Sequence, residues 1–508
     1  MGIQKSLYKC ILQNMKDGRL ESSFSLPRIE EENEISFADG AIDGITLYHT
    51  GMPKIDAAGT KLMIKAVMHA ADGNTAEADS AFAELGKSFR AISILDELQN
   101  YILKHTDKLP ATNIYQVALD LILSSADRES VKFGLCLLEL FRSDLESVKE
   151  VVRRIGLSDE FTIFSVWNML KWDDANMEIF NLIRKVHGWG RIHALERLEP
   201  ETPEISEWIL LNGIDNYVMP SYSALTVWRK AAVENRLYGK ISREEFSAIG
   251  RIIGALLDEG PVPGISEIEN AEKSILAYLS LADGFSLDIE DYKNILDLKN
   301  WAADEDVDLP AVSDRCAEII ASDKCRETVL RSVKTGNGIR IAEALGIDFA
   351  DDLLECMKTD FDRHYHSCGN VIHREGYLDR VIDLFHNKLP LDQMRRDPAA
   401  ELGLSAEYIH YNQLETLVYA LGEHPCCGED LVAAGLWSPV VRNRHTALRT
   451  LESWCRLLKR PLQEISKTLY QELSELIEKE VDDELKEKEQ KLLDGYILSE
   501  TGEGGFVK

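Results

Sequence analysis

The chain is expected to be all-α, an irregular stack of helix pairs, and three observations predict it. From Ala57 onward apolar residues recur at steps of three, four and seven, which keeps them on one face of a helix. Thr202-Pro203 and Ser438-Pro439 read as helix starts, a hydroxyl able to accept a free backbone N–H followed by a proline that has none to leave unpaired. The 508 residues are 45% hydrophobic, enough for a large core, yet nowhere run to the ~18 consecutive apolar residues of a membrane-spanning helix.

In order, residues 1–20 read as a short helix with Leu7, Ile11, Leu12 and Met15 on one side. Residues 21–36, with Pro27 and the acidic run Glu30, Glu31, Glu32 and Glu34, read as a solvated connector. Ile35 to Gly51 carries two Asp-Gly turn signals, Asp39-Gly40 and Asp43-Gly44, then an alternation of Ile45, Leu47 and His49 with Thr46, Tyr48 and Thr50. A short strand or hairpin is expected near residues 35–50, or else an extended loop packed on the first helices.

Helices follow near 57–71, 75–86, 88–104, 112–124, 129–141, 143–154 and 159–171, then 186–198 and 203–213. Trp167, Trp172, Trp189 and Trp208 fall in this part and read as core filling. Gly260-Pro261-Val262-Pro263-Gly264 is the strongest break. Helices resume near 266–282, 288–302, 311–321, 324–333, 339–345, 349–365, 374–387, 405–421 and 428–435. The stretch Leu436 to Leu458 then places Val441, Leu448, Leu451, Cys455 and Leu458 on one face, with Val441, Leu448, Leu451 and Cys455 expected to be buried and Arg444 and Arg449 largely exposed. Residues 462–495 read as one charged terminal helix that caps the stack or pairs with a partner helix. The expected organisation is an N-terminal helix and Gly/Asp-rich loop region (1–56), two helical halves (57–260 and 265–461), the charged terminal helix (462–498) and a disordered tail (499–508).

The formal net charge of −30 argues against nucleic acid and anionic membranes, since phosphate binding needs a basic surface, and favours a basic protein or peptide partner. Nine scattered cysteines without C-x-x-C spacing read as reduced thiols. With no signal sequence behind Lys5, Lys9 and the short patch Cys10 to Leu12, a cytoplasmic protein is expected.

Four constellations could carry chemistry. Asp362, His364, His366, Cys368 and His373 are metal-capable, and His364 and Cys368 would share a helix face, but their spacing matches no zinc pattern. His364, Cys368 and His373 are therefore weak metal candidates in what reads first as a polar helix end around Gly369. His424, Cys426 and Cys427 form a second weak set at a turn. Thr335-Gly336-Asn337-Gly338 lacks the preceding strand and third glycine of a phosphate or dinucleotide loop, and reads as an interhelix turn. Asp39, Asp43 and His49 could form a carboxylate–imidazole group, although turn chemistry accounts for both aspartates. No catalytic residue is assigned and no cofactor is expected.

Val441, Arg442, Ala447, Leu448 and Leu451 form V-R-x-x-x-x-A-L-x-x-L, which resembles the HEAT repeat with one extra residue before Ala-Leu; weaker units lie at 127–141 and 186–198. That resemblance implies an α-solenoid that binds a macromolecule along a helical surface as a non-catalytic scaffold or regulator. Phe24 to Pro27 with Ile35 to Gly51 is similar to bacterial proteins labelled limonene hydroxylase. This second resemblance implies an alternative, an oxidoreductase acting on a monoterpene with a nicotinamide cofactor (NAD), and assigns it no residue.

Overall fold

A computed structural model of the protein describes residues 5–21, 24–27, 37–142, 145–260, 262–498 and 504–506. Among them the chain is all-α apart from two small antiparallel ribbons, Met15–Lys16 with Arg19–Leu20 and Tyr496–Leu498 with Gly504–Phe506, and one isolated bridge. Packing divides it into two compact units, 1–287 with 294–318, and 288–293 with 319–508. No helix among the described residues is long and apolar enough to cross a membrane. All nine cysteines are free.

In the first unit, helix Ala57–Ala71 packs on Thr75–Gly86 and Ala111–Ser124 on Arg128–Leu138, and these two pairs pack on each other. Glu146–Ile155 with Thr162–Met169, Ala175–Ile183 with Gly188–Arg197, and Pro203–Asn212 with Ser221–Lys230 and Arg243–Leu256 continue the series. Each pair buries on the next the face it cannot bury alone, the irregular HEAT-like α-solenoid stacking expected from the sequence. Thr202 caps its helix as its sequence predicts, accepting from Ile205 N at 3.2 Å, with Pro203 at the first helical position. Helix Arg128–Leu138 starts at Asp127, whose carboxylate accepts from Ser130 N at 2.8 Å, and every residue from Glu129 to Leu138 is buried. Neighbours on several sides leave it no solvent face.

In the second unit, Ile409–Ala420, Glu429–Leu436 and Val441–Leu458 pack mutually, and Lys467–Leu476 and Asp483–Leu493 cover them. Leu448, Leu451 and Cys455 are buried, Val441 is half-buried and Arg449 is exposed. Leu458, in the same apolar series, is exposed, while Trp454 is fully buried and donates from Nε1 to Leu421 O at 2.7 Å.

Several expectations are corrected. Arg444 is fully buried: its Nε and Nη2 donate to the Glu480 carboxylate at 2.8 and 2.9 Å, and Nη1 donates to Ser438 O and Ala399 O at 2.7 and 3.0 Å. Ser438 does not cap the helix. Val440 pairs with Glu401 in extended conformation, so helical geometry begins only at Val441. The charged segment is not one helix but three, Leu462–Ile465, Lys467–Leu476 and Asp483–Leu493, with Ser466 and Asp482 capping the second and third. The break before Asp483 is where Glu480 turns inward to meet Arg444. Beside that pair lies Glu489, fully buried, its carboxyl pushed up to about 8 by burial and by the Glu480 charge.

Of residues 1–20, 1–4 lie outside the described residues, and the rest are helical over Leu7–Gln13 and then turn into the first ribbon. No strand forms in the described part of 35–50; Ala41–Ile45 is α-helical and Thr46–Thr50 a π-turn. The expected connector at 28–36 lies outside the described residues. Of the tail expected to be disordered, Gly504–Phe506 are paired in a strand, while 499–503 and 507–508 lie outside the described residues. The division between units does not fall at Gly260–Gly264, because helix Ala271–Leu281 beyond it still packs on Arg243–Leu256.

Candidate functional site

The Gly/Asp-rich segment is the part of the first unit where polar chemistry concentrates. Gly40 sits at φ +76°, and a Cβ there would lie 2.6 Å from Asp159 O, so only glycine admits this entry to helix Ala41–Ile45. The helix then widens into the π-turn, a geometry frequent at functional sites. Its two ends rest on two layers of side chains, one ionic and one aromatic.

In the ionic layer, Lys132 on helix Arg128–Leu138 has no exposed surface. Its Nζ lies 2.6 Å from Asp43, 2.6 Å from Glu160 and 3.0 Å from Glu129. Arg128 reaches Asp39 at 3.0 Å and Glu160 at 3.1 Å, and donates to Leu26 O at 3.1 Å. Leu26 N donates to Asp39 at 2.9 Å and Gly40 N to Glu160 at 2.8 Å. Arg90 pairs with Glu129 at 3.1 Å. Burial opposes the Lys132 charge, but Asp43, Glu129 and Glu160 outweigh it and hold its pKa above the ordinary lysine value. Burial also opposes the Glu160 charge, yet Lys132 and Arg128 hold its carboxyl down at about 2. Asp43 goes the other way. Burial raises its carboxyl to about 6 against the pull of Lys132, with Glu129 and Glu160 adding repulsion.

In the aromatic layer, the π-turn places Tyr48 and His49 over helices Gly188–Arg197 and Ser221–Lys230. Tyr48 Oη donates to the Glu196 carboxylate, and His49 Nε2 lies 2.6 Å from Tyr222 Oη. Trp189 and Tyr222 meet edge to face at 4.8 Å, and Ala41, Trp189 and Ile192 form the small core beneath. A Cβ on Gly44 would lie 2.2 Å from the Trp189 ring, so the helix docks closer than any other residue permits. His193, 1% exposed, stacks against Tyr48 and Trp189 with centroids 6.3 and 6.1 Å away. Among the described residues neither of its ring nitrogens has a hydrogen-bond partner; Nδ1 stands 3.8 Å from Glu196. Burial lowers the His193 pKa, so the ring is held neutral. Burial and the Glu196 charge raise that of Tyr48, making its hydroxyl a donor rather than a nucleophile. Together the layers clamp one polypeptide segment onto stacked helices.

Of the sequence candidates, Asp39 and Asp43 meet in the ionic layer through Arg128 and Lys132, which share Glu160, while His49 lies apart against Tyr222. In the second unit, Cys368 is fully buried and its thiol is pushed up to about 12 by burial, while His364 lies against Gly336. His373 is drawn away to His424, Nδ1 to Nε2 at 2.9 Å with the rings stacked. Asp362 accepts from Gln413 at 2.7 Å, and Cys426, at φ +65°, is exposed. No group of three or more His, Cys, Asp or Glu among the described residues is arranged to hold a metal ion. Gly336 and Gly338, at φ +75° and +77°, make a turn between helical segments. Sequence reasoning missed Lys132, Glu129, Glu160, His193 and Glu196. One signal was available: Lys132 is a lone cation among Val131, Phe133, Leu135, Leu137 and Leu138, and a charge inside an apolar run has buried counter-ions.

A groove of about 360 Å³ opens elsewhere on this unit, between the end of helix Ala91–Lys104 and Leu140–Phe141. Leu103, 58% exposed, stands at its edge, with Ile102, Leu109 and Ile114 beneath.

No family model and no curated protein matches the chain. Among solved structures it is similar to one described as a circular tandem repeat protein with novel repeat topology and enhanced subunit contact surfaces. The two are 15% identical over 86% of this chain and 94% of the other, with a TM-score of 0.13, too low to carry an argument.

Proposed function

We propose that the protein is a cytoplasmic interaction scaffold whose first helical unit receives a basic protein segment. The observation that carries this reading is the groove beside Leu103, an apolar slot on stacked repeat helices with a large aliphatic side chain exposed at its edge. A few side chains seated in well-packed pockets carry most of the energy of an interface, and the slot offers such a pocket. The net charge of −30 supplies long-range attraction for basic partners and disfavours acidic ones.

The test is affinity capture with cross-linking from cells expressing tagged wild-type protein or Leu103→Asp, quantified by mass spectrometry. Leu103 is exposed, so the variant is expected to fold. Basic partners enriched by the wild type should be lost from the variant. Equal capture by both, or no specific partner with either, would overturn the reading.

A further inference from the structure

We propose that helix Asp483–Leu493 is a pH-sensitive latch on the second unit: docking takes up one proton, at Glu489, so the helix loosens as pH rises. Leu485, Glu489 and Leu492 lie on one face of this helix, and all three are buried. Glu489 has no exposed surface, and no donor among the described residues reaches either of its oxygens. A carboxylate so placed is far costlier than a carboxylic acid, so the docked state favours the acid.

Arg444, the buried cation beside it, is already committed. It gives Nε and Nη2 to Glu480, and Nη1 to Ser438 O and Ala399 O. Glu480 Oε1 also accepts from Val481 N and Asp482 N. Its Oε2 accepts only from Arg444 among the described residues, which leaves room for a second donor, and a protonated Glu489 beside it supplies one. Lys486, on the latch itself, is exposed. The other charges on the packed helices are engaged elsewhere or solvated. Glu452 of Val441–Leu458 faces Lys488 and Lys491, His445 faces Glu484, and Glu472 of Lys467–Leu476 pairs with Arg395. Glu464, Lys467 and Glu475 are exposed. Burial and the Glu480 charge therefore push the Glu489 carboxyl up to about 8, against the weaker pull of Arg444 and Lys486. A carboxyl raised in the docked state contributes fully below its free pKa, and that contribution is lost as pH climbs to the docked value. For the latch this window runs from about 4.5 to about 8. The device belongs to the second unit and stands apart from the scaffold reading.

The test is hydrogen exchange of the full chain at pH 5.5, 6.5, 7.5 and 9, read by mass spectrometry over Asp483–Leu493 and divided by the intrinsic exchange rate at each pH. The opening constant of the helix should rise about tenfold per pH unit up to pH 7.5, the effect of one proton, and level off by pH 9. Glu489→Gln, whose amide can donate to Glu480 without ionising, should remove that tenfold step and keep the helix protected at pH 7.5. Glu452→Gln should retain the slope, and Leu485→Ala should open the helix equally at every pH. A wild-type opening constant that does not change with pH, an undiminished slope in Glu489→Gln, or a slope abolished by Glu452→Gln would overturn the proposal.

Discussion

Replacing Lys132 with methionine removes the one cation that three buried carboxylates share. Glu129 keeps Arg90 at 3.1 Å and Glu160 keeps Arg128 at 3.1 Å, but Asp43 retains only Arg90, at 3.8 Å. Asp43 then takes up a proton. With its wild-type pKa near 6, holding it neutral at pH 7.5 forgoes about 2 kcal/mol at ~1.4 kcal/mol per unit. The weakened pairing of the other two carboxylates adds about 1–2 kcal/mol, so the total of about 3–4 kcal/mol matches the usual range for breaking a buried pair. The pH dependence follows from the sign. A carboxyl whose folded pKa is raised contributes stability that is present below its unfolded pKa and lost as pH rises through the folded value. For Asp43 that window runs from about 4 to 6 in the wild type and extends higher in the variant, where the ammonium is gone. The deficit of Lys132→Met should therefore be about 1–2 kcal/mol at pH 5.5 and widen toward pH 7.5. Urea denaturation followed by tryptophan fluorescence, with hydrogen exchange read over Ala41–Thr50, measures both the size and the place of the effect. A deficit under about 1 kcal/mol at both pH values, or one that does not widen, would refute the reasoning.

Two further substitutions test packing and pairing. Gly44→Ala puts a methyl group into the Trp189 ring; it should cost about 1–3 kcal/mol, and faster exchange confined to Ala41–Thr50 would show the segment lifting while the helices beneath stay protected. Arg444→Met strands Glu480 and should cost about 3–5 kcal/mol, whereas Arg444→Met with Glu480→Leu should recover most of it; thermal unfolding of the two variants side by side separates a stranded charge from lost volume.

Much of the architecture was legible because it is local. The bounds expected for 57–71 and 75–86 are those observed, since a helix face and its ends are written within a few residues of one another. The alternation of Ile45, Leu47 and His49 has the period of a strand, yet the stretch is helical. What makes that stretch helical lies far away, in the Trp189 face that Gly44 meets and the ammonium that Asp43 meets. Arg444 failed for the same reason. On a helix a charge reads as solvent-facing until its counter-ion is known, and Glu480 is 36 positions away. His373 was grouped with His364 and Cys368 by proximity in sequence, but its partner His424 stands 51 positions on. The site is made of such distant pairs, so its members were visible singly and its assembly was not.

Docking of the 37–50 segment also sets an order of events during synthesis. His49 leaves the ribosome 173 residues before Tyr222, the ring it rests beside. At about 5–20 residues per second the wait is roughly 9–35 s. Asp39 and Asp43 wait about half as long, since Arg128 follows Asp39 by 89 residues and Lys132 and Glu160 are also made before Tyr222. The partners of the ionic layer are thus complete before the Tyr222 ring of the aromatic layer exists, so the two halves of the segment acquire their walls in turn.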